Sequence, residues 1–163
     1  MLEAQSLIKE RGPSAILRAA MLTEAVLPDN TPRDELLDTI KYQLNRCDPT
    51  ESLLIVDPYL FPSNPDTDYL RDLLSLVAPS IEKGIDLTIA TKSNRNTVLE
   101  ASFLSGLTSL RASATAFIKP TNAFHDRFWI ADGKRGLFLG TSLNGIGRRY
   151  EVVSPSWTGW RRS

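Results

Sequence analysis

At 163 residues, 42% hydrophobic and 23% charged, the chain fits a single soluble globular domain able to bury about two thirds of its unfolded surface. No apolar run approaches the ~20 residues that span a bilayer, residues 1–9 lack a signal peptide's basic start and apolar stretch, and Cys47 is alone. A membrane span, an internal disulfide and a thiolate metal cluster are thereby excluded, and the cytoplasm is the expected compartment. The net charge is zero but uneven: residues 1–90 hold 8 Lys/Arg against 15 Asp/Glu, net −7, and residues 91–163 hold 11 against 4, net +7. An anion-binding face on an otherwise acidic protein produces such an asymmetry.

In chain order, Ser14 to Leu27 reads as a first helix, with Ile16, Leu17, Ala20, Met21 and Ala25 near helical spacing. After a loop, Thr31 at the N-cap, Pro32 at N1 and Asp34 at N3 open a second helix with the stripe Leu36, Leu37, Ile40 and Leu44. Residues 1–50 thus read as a helical N-terminal extension, an appendage or dimerisation element. Residues 51–163 carry an α/β pattern. Ser52–Val56 is a short apolar run, expected of a strand buried on both faces, and it stops at Asp57-Pro58-Tyr59. Asp68 to Glu82 is a helix bearing Leu70, Leu73, Leu74 and Val77, kinked or stopped early at Pro79 and closed by Gly84.

Ile85 to Thr91 is a second strand, and Thr97 with Glu100 makes a capping box for a helix bearing Leu99, Phe103, Leu104 and Leu107. Ala114 to Ile118 is a third strand. Phe124 to Ala131 and Leu137 to Ser142 form a hairpin around the turn 132–136, and Tyr150 to Val153 suits a last strand. Strands alternating with helices and then a hairpin imply an α/β fold, an α/β/α sandwich with a mixed sheet preceded by two helices.

The chemistry gathers around His125, the only histidine. A neutral imidazole can attack phosphorus or pass a proton near neutral pH. Strand parity puts His125, Arg127, Trp129 and Ala131 on one face and Asp126, Phe128 and Ile130 on the other, where Phe128 and Ile130 are expected to fill the core. His125 and Arg127 would then point together, with the arginine fork gripping phosphate. Asp132 falls at the strand end and reads first as a turn former, as does Asp57 before Pro58. Trp129, Trp157 and Trp160 read as packing residues, and Arg148, Arg149, Arg161 and Arg162 as surface cations open to a polyanion.

His125-Asp-Arg127, four residues, then Asp132, followed by Gly140-Thr141-Ser142-Leu-Asn144, resembles the His-x-Lys-x4-Asp…Gly-Ser-x-Asn signature of the phospholipase D superfamily, with arginine in the lysine place. The strand ending at Asp57 and the βαβα layout fit the start of that family's domain, so the resemblance spans about residues 51–153. It implies His125 as nucleophile or leaving-group acid, Arg127 as the phosphate-neutralising cation, and Ser142, Thr141 and Asn144 around the phosphate. Glu151 would hold the histidine tautomer, and Asp132 would be structural. No metal and no cofactor are implied. The family mechanism uses two histidines and this chain has one, so a homodimer would complete the site.

The function expected is a nuclease-type phosphodiesterase acting on nucleic acid. The alternatives are an inactive phosphate- or nucleic-acid-binding module, a dimerisation module, or a phospholipid phosphodiesterase; a partner subunit or fused domain is compatible with each.

Overall fold

In the computed structural model, residues 25–27, 31–140, 142–144 and 151–157 are described, by backbone alone for 25–27 and 151–157. In chain order the elements are β1 (Ala25–Leu27), α1 (Arg33–Cys47), β2 (Ser52–Val56), α2 (Tyr69–Glu82), β3 (Asp86–Thr91), α3 (Thr97–Leu110), β4 (Ala116–Pro120), β5 (Arg127–Ala131), β6 (Arg135–Leu139) and β7 (Glu151–Trp157). The strands form one mixed sheet in the order β1-β7-β6-β5-β2-β3-β4. β2, β3 and β4 run parallel through the crossover helices α2 and α3, while β5, β6, β7 and β1 pair antiparallel. This is the α/β architecture with a mixed sheet that the alternation of elements implies.

One sheet face carries the core. Leu53 and Ile55 of β2 stand opposite Leu87 and Ile89 of β3 and Ala131 and Trp129 of β5, and Trp129 stands opposite Leu137. All belong to one buried cluster with Leu36 and Ile40 of α1, Val77 of α2 and Phe103 of α3. At Gly106, where α3 faces α2, an added Cβ would meet the Leu74 side chain at 2.5 Å and force it to move.

Phe128, Ile130, Phe138 and Leu54 lie on the opposite face and are half-buried, with the Phe128 and Phe138 rings 5.4 Å apart. The parity expectation is therefore reversed: Trp129 and Ala131, not Phe128 and Ile130, fill the core. Both sets are apolar, so alternation could not say which face the helices would cover. Leu54 likewise departs from the two-face burial expected of β2.

Other local expectations shift for identifiable reasons. Ala25–Leu27, the end of the expected first helix, is a strand with Ala25 opposite Val153; pairing along a sheet edge outweighs local spacing. The rest of that helix lies outside the described residues. α1 forms with the expected stripe but starts one residue later, with Pro32 rather than Thr31 at the N-cap and no side-chain cap. Leu36, Leu37, Ile40 and Leu44 join the core, so the described part of residues 1–50 is built into the sheet and its core. Pro79 does not stop α2, which runs to Glu82. α3 is capped not by Thr97 but by Asn96, whose Oδ1 accepts from Leu99 N–H at 3.0 Å, and Glu100 pairs with Arg95. No helix among the described residues is long and apolar enough to cross a membrane.

The β5–β6 turn does more than reverse the chain. Asp132 and Gly133 both have positive φ, 52° and 63°, as a tight type I′ hairpin turn requires. The Asp132 carboxylate reaches back to the start of β2. Its Oδ1 accepts from the N–H groups of Glu51 at 2.8 Å and Ser52 at 2.9 Å, and Oδ2 accepts from Thr50 N–H at 3.1 Å and the Thr50 hydroxyl at 3.0 Å.

Burial opposes its charge, but the Ser52, Glu51 and Thr50 N–H groups and the Thr50 hydroxyl outweigh that and hold Asp132 down at about 2. Asp132→Ala is expected to lower the unfolding free energy by about 2 kcal/mol at pH 7, read by urea denaturation. The folded-state value lies below the ordinary 3.8, so this stabilisation is complete above about pH 4 and fades as pH falls toward 2. A wild-type stability matched by Asp132→Ala at pH 7 would show that the carboxylate anchors nothing.

Candidate active site at the carboxyl end of the parallel strands

β2 and β3 end side by side, and β5 begins beside the end of β2 because it runs the other way. The carboxyl ends of parallel strands are where open α/β sheets place ligands. Val56 is opposite both Ala90 and Phe128, so one step further Asp57 comes between Thr91 and Arg127 in a cross-strand row. The Asp57 N–H donates to Ala90 O at 3.0 Å, extending the ladder to this point.

Asp57 is fully buried, and its Oδ1 accepts from Tyr59 N–H at 2.8 Å and faces Arg127 Nε at 3.6 Å. Its Oδ2, the Thr91 hydroxyl and Arg127 Nε are all buried without a hydrogen-bond partner. Burial drives the Asp57 carboxyl up to about 6, against the opposing pull of the Tyr59 N–H and of Arg127. Three underused polar groups in one row at a sheet end mark a place built for something other than stability.

The loop after β2 frames this row. Leu60 and Phe61 are buried, the Tyr69 hydroxyl donates to Leu60 O at 2.6 Å, and Asn96 N–H donates to Phe61 O at 3.0 Å. Tyr59 remains 41% exposed. Lys92 Nζ lies 3.8 Å and Arg127 Cζ 5.1 Å from the centroid of its ring. Lys92, with help from Arg127, pulls the Tyr59 phenol below its ordinary value.

The motif residues divide. His125 is exposed and precedes β5, which starts at Arg127 rather than at Phe124. The shared strand face expected of His125 and Arg127 is therefore not formed; only their closeness along the chain remains. Asn144 is committed to the loop after β2: its Oδ1 accepts from Asp66 N–H at 2.9 Å and its Nδ2 donates to Asn64 O at 3.0 Å. The Ser142 hydroxyl accepts from Asn144 N–H at 3.2 Å, a local turn that leaves its own proton to donate. Thr141 lies outside the described residues.

Glu151 is the first residue of β7, opposite Leu27 and two residues from Val153, which pairs with Leu139, itself opposite Arg127. Trp129 is fully buried, as packing requires, and Trp157 ends β7 opposite Arg135. Trp160 and the arginines 148, 149, 161 and 162 lie outside the described residues.

Sequence reasoning missed Thr91, Lys92 and Tyr59, and it favoured a turn-former reading of Asp57 over one in which it lines the pocket. The available signal was an aspartate directly after a buried strand that feeds a crossover helix, the position where such folds place ligand-binding groups. Asp57's folded-state value of about 6 exceeds the ordinary 3.8, so the folded protein prefers this carboxyl protonated. Wild type should lose stability relative to Asp57→Asn as pH rises from about 4 through 6. Urea denaturation should show Asp57→Asn more stable by roughly 1–3 kcal/mol at pH 8 and equal to wild type below pH 4. A difference independent of pH would rule out a buried ionising carboxyl.

No protein-family model and no curated protein sequence matches the chain. Among solved structures it is similar to NucT from Helicobacter pylori, at 15% identity over 82% of each chain with a TM-score of 0.51. Nuc from Salmonella typhimurium, described as a phospholipase D family member, matches at 14% identity over 83% of this chain and 84% of that one, with a TM-score of 0.46. TrmBL2, described as an archaeal chromatin protein with a novel mode of DNA binding, matches at 18% identity over 94% of this chain with a TM-score of 0.46, and the chain spans about half of it, 54%. At 15% identity the likeness to NucT is one of fold: the two share a mixed-sheet α/β architecture.

Proposed function

We propose that the chain is a metal-independent phosphodiesterase of the phospholipase D superfamily, hydrolysing nucleic-acid phosphodiesters through a phosphohistidine at a homodimer interface. The observation that carries this reading is the Arg127 guanidinium set against a buried carboxylate at the carboxyl end of β2, with His125 exposed two residues earlier. Among the described residues the guanidinium donates no hydrogen bond; Nε is buried toward Asp57, and the terminal nitrogens are left for a phosphate. The excess of cations in residues 91–163, 11 Lys/Arg against 4 Asp/Glu, supports a polyanionic substrate.

In the proposed reaction a ring nitrogen of His125 attacks phosphorus. The P–N bond forms as the P–O bond to the leaving group breaks, and a histidine from a second copy protonates the departing oxygen. Water activated by that second histidine then cleaves the P–N bond, releasing the phosphate monoester and free His125. Arg127 offsets the charge gathering on the equatorial oxygens. Ser142 donates its hydroxyl proton to one of them, joined by Thr141, and Glu151 orients His125, as the resemblance implies. Asn144 contributes by fixing the segment after β6 against residues 64–66.

A second reading, a binding module without turnover, draws support from the arginine itself. Asp57 offsets part of its charge, and its forked geometry differs from that of the family's lysine.

Cleavage of oligonucleotides in the presence of EDTA decides between the two. Wild type should cut and His125→Ala should lose at least a hundredfold of the rate. Cleavage surviving the substitution would sink the mechanism, and salt-dependent binding with no cleavage would select the binding module. Light scattering should give a dimer, and a fully active monomer would contradict the shared site.

A further inference from the structure

Lys92 follows β3 directly and belongs to no motif, yet it stands at the same sheet end as Arg127. Its backbone N–H donates to Pro58 O at 3.4 Å, which ties it to the loop that carries Tyr59. Its Nζ lies 3.8 Å from the Tyr59 ring centroid, and Arg127 Cζ lies 5.1 Å from that centroid. One aromatic ring thus holds two cations, an arrangement that the ring's quadrupole favours and that fixes each cation's place.

The charges do not balance. Among the described residues no carboxylate pairs with Lys92, and Arg127 has only Asp57. That carboxyl is itself driven toward its neutral form by burial. Two cations gathered on one ring, with a single carboxylate that faces only Arg127, repel each other unless an anion lies between or beside them. The Tyr59 phenol is lowered first by its hydrogen bond with Lys92 and then by the charges of Lys92 and Arg127. Tyr59 is exposed and Lys92 half-buried, so the pair opens to solvent rather than into the core.

We propose that Lys92, braced on Tyr59, forms a second phosphate subsite that takes the phosphate next to the one held by Arg127 in a nucleic-acid strand. The proposal rests on the reading that Arg127 meets a phosphodiester. A strand, unlike a lipid headgroup, carries successive phosphates linked at short intervals, which is the ligand that two neighbouring cations fit. The subsite would favour a strand continuing past the reacting phosphate over an isolated diester.

The test is the salt dependence of binding by the full chain, read as fluorescence anisotropy of a labelled twelve-residue oligothymidylate. Each phosphate contact on a single strand contributes about 0.7 to the slope of log affinity against log salt. Lys92→Ala is expected to reduce the slope by about that amount and to weaken affinity by roughly threefold to tenfold at 0.1 M salt. Lys92→Arg should retain the wild-type slope, which separates loss of charge from loss of fold.

An unchanged slope in Lys92→Ala, or a wild type that shows no salt-dependent binding, would overturn the subsite. So would a slope change seen only with vesicles containing phosphatidic acid, which would assign the pair to a lipid surface. Failure of EDTA-resistant cleavage would strike the catalytic reading alone, since the slope reads binding and not turnover.

Discussion

A carboxylate stands at each end of the pairing between β2 and β5, and the rest of the site depends on the two together. At the start of β2, Asp132 gathers the N–H groups of residues 50–52. At its end, Asp57 faces Arg127 at 3.6 Å. The antiparallel register puts Val56 opposite Phe128 and Leu53 opposite Ala131, so a slip of one residue would separate both pairs and turn Trp129 out of the core. Because β2 is also the first of the parallel strands, the same register carries the hairpin's arginine to the end of the sheet where crossover loops converge.

The two aspartates show how environment, not residue type, sets charge. Asp132 has several backbone N–H donors and is held well below its ordinary range. Asp57 has one, from Tyr59, plus an arginine beyond hydrogen-bond distance, and burial prevails. A carboxylate satisfied by donors is an anchor. One left half-satisfied beside a cation stores free energy, and sites that bind or react are where folds tolerate that.

Much of the architecture was legible because it follows from local periodicity. The run Ser52–Val56 and the stripes of α1 and α2 appear where the pattern of apolar residues puts them, while the turn expected over 132–136 is shorter, because Arg135 and Gly136 already pair in β6. Element ends were less legible: Asn96 rather than Thr97 caps α3, since either can accept the bond and the local choice rests on how the preceding loop arrives. Residues 25–27 had helical spacing but pair with β7, a partner more than a hundred residues away in sequence. Of the candidate site, Asp132 lies in the turn where spacing put it, and Arg127 opens β5 two residues after His125. His125 and Arg127 do not share a strand, because the ladder with β6 begins only at Arg127 opposite Leu139.

The sequence by itself determined the alternation of strands and helices, the uneven charge and the grouping of His125, Arg127, Asp132, Ser142 and Asn144, since each depends on spacing along the chain. Only the tertiary structure decided which face of β5 is buried, that Asn144 binds the 64–66 loop, that Asp57 and the Tyr59 ring meet Arg127, and that Lys92 meets the same ring. Those meetings join residues 33 to 80 positions apart, and the cluster at Arg127 exists because parallel strands end together and an antiparallel neighbour begins where they end. Linear spacing carries no record of that.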